Sequence, residues 1–118
     1  MTRWFVVMLL VIGMAAGAGS ALAAEATQTV TGEVVDLACY LGHGAQGAGH
    51  QGCAQKCINS GLPVGIKSGD TLYVAVGSEH GTANAVLGPL ASKQVTVEGV
   101  VTERDGVHLI AVKKVTAS

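Results

Sequence analysis

The sequence predicts a mainly β fold: a small five-stranded barrel with one short cysteine-bearing helix inserted between strands one and two. Three observations carry this expectation. β-Branched residues recur with period two in five short runs, glycine-centred turns separate several of those runs, and all three cysteines fall in one Gly/Ala-rich stretch, residues 36–61, that interrupts the pattern.

The first strand is expected over Gln28–Leu37, QTVTGEVVDL, where Val30 and Val34 share a face and Gly32 between them permits the coiling a small closed sheet needs. Gly52–Ser60 reads as a short helix closed by Gly61. Leu62–Lys67 is the second strand, entered by Pro63, which a strand tolerates at its first position. Ser68-Gly69-Asp70 then turns the chain into the third strand, Thr71–Val76. A weak helix is expected over Thr82–Leu87, broken by Gly88-Pro89. Gln94–Glu103 alternates through Val95 and Val97 and then meets Gly99 and the doubled Val100-Val101, a bulge signature. Arg104-Asp105-Gly106 closes a hairpin with the last strand, Val107–Val115.

This order of strand, inserted helix, two strands, helical link and final hairpin resembles the OB-fold, a five-stranded Greek-key barrel with a long coiled first strand. The resemblance covers Gln28–Val115 in topology, and the cysteine-bearing insert departs from it. The chain is also similar to small exported bacterial proteins with a V-x-G-x-V-V-D-x-x-C-Y opening, here Val30–Tyr40, and an H-x-x-C-A-x-x-C-I-x-x-G helix, here His50–Gly61. That likeness marks the two motifs as one unit and implies no activity.

Residues 1–23 read as a cleaved secretory signal. Arg3 precedes an apolar run to Ile12, and small residues lead to Ala21-Leu22-Ala23, an A-x-A site. The apolar core from Trp4 to Met14 falls short of the roughly 20 residues a spanning helix needs, so no stable membrane anchor is expected after cleavage. The expected product is a single periplasmic or secreted domain, residues 24–118, with its metal-binding insert at 36–61. Losing Arg3 would take seven basic residues to six against eight acidic ones, a net charge of −2, and would leave Tyr40 and Tyr73 as the only aromatics. Single-stranded nucleic acid calls for a basic groove and stacking aromatics, so no nucleic-acid partner is expected.

So small a domain gains from a staple, which cysteine supplies as a disulfide or as a metal ligand. In an oxidising compartment a disulfide is the first reading, yet an odd count strands one thiol. Cys39, His50, Cys53 and Cys57 instead form C-x10-H-x2-C-x3-C, three soft sulfurs and an imidazole. On a helix Cys53 and Cys57 stand one turn apart on one face, His50 lies just ahead, and Cys39 arrives from the end of the first strand. These four are the expected ligands of one ion. Asp36 is either an orienting hydrogen-bond partner for a ligand or a solvated strand-end residue, and His43 an alternative ligand or a solvated one. His80 and His108 are left out of the site. A disulfide from Cys39 to Cys53 or Cys57 stays open, and would make the chain a stapled interaction or scaffold domain without metal.

Exclusion narrows the chemistry. No methionine remains in residues 24–118, which removes axial-Met copper and Met/His haem sites, and there is no C-x-x-C-H for covalent haem. Three cysteines and a histidine suit zinc best, with copper(I) or an iron-sulfur centre behind it. Four protein donors would close the coordination sphere, C-x3-C is not the C-x-x-C of thiol oxidoreductases, and no Ser/His/Asp or paired-carboxylate signature stands out. The expectation is therefore a metal-binding protein and not an enzyme, with the ion structural, carried or sensed, and a second envelope protein as the partner of a carrier.

Overall fold

Strand β1, Thr27–Asp36, pairs with two neighbours along its length in the computed structural model, which describes residues 26–118. Thr27–Glu33 runs antiparallel to β4, Gln94–Arg104, and Glu33–Asp36 runs antiparallel to β2, Val64–Ser68. A strand that changes partners must bend, and Gly32 sits where the change occurs. A Cβ there would collide with the Lys67 carbonyl oxygen of β2, so the glycine is a requirement of close backbone approach. Strand β3, Thr71–Gly77, pairs antiparallel with β2 and parallel with β5, Val107–Ala117. With β5 antiparallel to β4, the sheet closes in the order β1-β2-β3-β5-β4, the OB-like barrel that the strand pattern leads one to expect.

Alternation places the core. Val30 and Val34 of β1, Ile66 of β2, Ala75 of β3, Val95 and Val97 of β4, and Ile110 and Val112 of β5 meet in one buried cluster. The bulge lies where the sequence points but on the other strand: Glu98 faces Lys114 while Gly99 faces Val112, so the extra residue is Lys113. Gly99 marks the place by yielding room, since a Cβ on it would strike the Ala111 carbonyl oxygen. Strand ends differ from expectation by one or two residues, as end fraying allows. The link helix is shorter than expected: α3 spans Asn84–Leu87 and runs into a 3-10 turn, Gly88–Leu90, while Thr82 bridges to Val76.

A larger difference lies in the insert. Leu37–His43, expected as the end of the first strand and the loop after it, is a helix, α1. Asp36 is its N-cap, Oδ1 accepting the Ala38 amide at 3.0 Å, and Gly44 ends it at φ +68°. Cys39 therefore stands in the first turn of a helix and not at a strand end. A 3-10 turn, Ala48–His50, leads directly into α2, Gln51–Asn59. That helix closes in a Schellman motif: Gly61, at φ +100°, donates to the Ile58 carbonyl and Leu62 to the Cys57 carbonyl, each at 3.1 Å.

Helix α2 packs against β1, α3 and the 3-10 turn at Gly88–Leu90. Its Ala54 and Ile58 are 1% and 0% exposed and belong to the barrel core. Asn84 fastens its end, Nδ2 donating to the Ile58 and Leu62 carbonyls at 2.7 Å each. The expected secretory signal lies outside the described residues, and among these no helix is long and apolar enough to cross a membrane.

Candidate metal centre

Two i,i+4 pairs divide the surface of α2. Ala54 and Ile58 face the barrel, while Cys53 and Cys57, each one residue earlier, are rotated from them by about 100°. Burying the apolar pair thus fixes where both thiols stand. Helix α1 brings Cys39 to the same place, the 3-10 turn brings His50, and β1 ends there with Asp36.

Two groups of donor atoms result, each mutually within 4.8 Å: Cys39 with His50 and Cys53, and Asp36 with Cys39 and Cys57. Cys39 belongs to both. Zinc–sulfur bonds of about 2.3 Å set the corners of a tetrahedral site about 3.7 Å apart, so either group reaches bonding geometry by contracting about 1 Å. All three cysteines are free thiols, so neither expected disulfide pairing is formed. Cys39, Cys57 and His50 are half-buried and Cys53 is exposed.

Two atoms here lack what burial demands. Asp36 is the sole buried charged residue among those described, at 1% exposure. Its Oδ2 and the Nε2 of His50 are buried without a hydrogen-bond partner, a condition that costs about 1–3 kcal/mol for each group. Metal coordination at these residues would offset that cost. The sequence leaves Asp36 as either an orienting partner of a ligand or a solvated strand-end residue; it is buried, and its carboxylate lies within reach of Cys39 and Cys57 as a further donor. The only sequence signal for this is an aspartate ahead of Leu-Ala-Cys-Tyr-Leu, the N-cap of a short helix, and the glycines that follow obscure it.

Other expected residues stand apart. His43 is exposed at the end of α1 and falls in neither group. His108 meets Glu103 at 3.3 Å and stacks edge-on against Tyr73, and His80 is exposed, so neither joins the site. Glu33 was missed: its Oε2 accepts the Gly47 amide at 3.0 Å and pins the glycine-rich loop between the donors. Nothing local announces that contact, because Glu33 reads only as an outward strand position.

The Asp36 carboxylate holds protons on its neighbours. Cys39 is pushed up from 9.0 to about 12, first by the Asp36 carboxylate beside its thiol, then by burial and by repulsion from the other sulfurs. Cys57 moves in the same direction, through burial first and Asp36 second. Metal entering this site therefore displaces protons, and binding strengthens as pH rises. The metal-free protein has its own pH signature. The folded state keeps the Cys39 proton that the unfolded chain releases, so this stabilisation is complete below pH 9 and is lost as pH rises through about 12. Denaturant melts of chelator-treated protein should show that alkaline loss, and Cys39→Ser should reduce it to the part that Cys57 contributes. A variant that keeps the full loss would place its origin elsewhere.

No protein-family model matches the chain, and neither a curated protein nor a solved structure does. Its chemistry is read from the centre itself: soft donors, an imidazole and a carboxylate gathered on two short helices, a turn and a strand end.

Proposed function

We propose that this is an exported metal-binding protein that holds zinc in a centre built from Cys39, His50, Cys53 and Cys57, and that it binds its ion without catalysing a reaction. The observation that supports this best is the convergence of three free thiols and a buried, unpartnered imidazole nitrogen from separate elements of the fold. Sulfur and nitrogen donors at tetrahedral reach favour zinc, and copper(I) or an iron-sulfur centre would draw on the same set. Cys53 is exposed, which keeps one side of the ion within reach of an incoming ligand and favours a carrier or sensor over a sealed structural site. The partner of such a carrier is a second envelope protein that receives the ion. Export rests on the leader-like residues 1–23 and on the likeness of the two cysteine motifs to small exported proteins.

Elemental analysis of protein recovered from the periplasm under reducing, chelator-free conditions tests this reading. Stoichiometric zinc is expected, and a chelator should withdraw it without unfolding the barrel. Protein that arrives metal-free, with two of its thiols already joined, would replace the metal reading by that of a stapled scaffold domain.

A further inference from the structure

Five donors converge on this centre, and they divide into two groups that share only Cys39. A single tetrahedral ion uses four of them. Taking the three cysteines and His50 leaves a carboxylate 1% exposed beside three thiolates on one divalent ion, an excess of about two negative charges in a half-buried place. No lysine or arginine among the described residues pairs with Asp36; the one lysine pair there joins Lys114 to Glu98. A second divalent cation cancels the excess, since three thiolates and one carboxylate balance two doubly charged ions. The orphaned atoms point the same way, for His50, whose Nε2 is buried without a partner, belongs to one group, and Asp36, whose Oδ2 is buried without a partner, to the other.

Building on the metal-binding reading above, we infer that the centre holds two divalent cations, one on Cys39, His50 and Cys53 and the other on Asp36, Cys39 and Cys57, bridged by Cys39 Sγ. A thiolate has the lone pairs to bridge, and Cys39 is the donor that both groups share. Each ion then has three protein donors and one further position for solvent or an incoming ligand.

Zinc titration of the reduced full chain, read by native mass spectrometry, tests this. The unaltered protein should saturate at two ions per chain and Asp36→Asn at one, because asparagine keeps the N-cap that starts α1 but brings no charge to the second ion. Far-UV circular dichroism confirms that the variant is folded. Should it fail to fold, Cys57→Ser, which leaves the other group whole, should show the same single ion. Saturation of the unaltered protein at one zinc overturns the inference and leaves the single-ion reading standing, whereas no zinc at all sinks both. Two ions retained in the folded Asp36→Asn variant overturn it as well. In cobalt(II)-loaded protein, the paramagnetic resonance signal should grow with the first equivalent and fall with the second as the bridge couples the spins. Steady growth through the second equivalent would remove the bridge.

Discussion

Cys39→Ser is expected to abolish zinc binding, with an affinity loss well beyond about a hundredfold. Removing only the hydrogen-bond partner of a metal ligand costs about 10–100-fold, and losing the ligand itself costs more. Position makes Cys39 the most sensitive of the set. After His50→Ala, the group of Asp36, Cys39 and Cys57 remains, and after Cys57→Ser, Cys39, His50 and Cys53 remain. After Cys39→Ser neither group is whole. Serine is nearly isosteric and suits the first turn of α1, so the barrel should fold as before. Competition against a chromogenic zinc chelator ranks the variants: Cys39→Ser lowest, with His50→Ala and Cys57→Ser between it and the unaltered protein. Equal loss in all three would describe one undivided four-ligand site. Full retention in Cys39→Ser would end the case for a metal centre at this place.

Ile58→Ala is expected to cost about 2–5 kcal/mol, the range for truncating a fully buried aliphatic side chain. Domains are stable by only about 5–15 kcal/mol, so this one change removes a large share. Ile58 is 0% exposed, sits in the barrel core, and its carbonyl receives the Asn84 side chain. It supplies no donor atom, yet its burial fixes the rotation of α2 that places Cys53 and Cys57. Loss of that anchor should therefore also weaken zinc binding. Urea melts with and without zinc measure both effects: a lower midpoint in the variant, and a smaller upward shift on adding the ion. A stability loss under about 1 kcal/mol would mean that α2 is not held by its apolar face.

The barrel was readable because its signals are local. Val95 and Val97, or Val30 and Val34, alternate wherever a strand has one face in the core, and Gly32 and Gly99 mark places where two backbones crowd. Helix α1 escaped notice because it is seven residues long, contains Gly42 and dissolves into a glycine run, which masks the cap at Asp36. The side of the bulge was hidden for another reason. Gly99 makes room for a kink that its neighbour undergoes, and a sequence shows the room without the occupant. Ligand types and spacing pointed to Cys39, His50, Cys53 and Cys57, but their division into two groups depends on helix rotation and on a strand-end carboxylate. Glu33 and Asn84 act on partners 14 and 22 to 26 residues away, and no window of sequence reports such contacts.

Between Asp36 and Val64, the last partners of the β1–β2 ladder, the chain makes its excursion through the donor-bearing helices. The Leu37 amide reaches the Pro63 carbonyl at 3.0 Å, so the excursion leaves and rejoins the barrel at one seam. A cation gripping Cys39 and Cys57 would act there as a clasp, shrinking the conformational space of the open chain by about 3 kcal/mol, as a covalent tie around a loop of similar length does. Neighbouring strands that must otherwise find each other by diffusion would then start out tethered. Loading an ion before the barrel closes should speed refolding, making the ion a participant in the protein's own maturation.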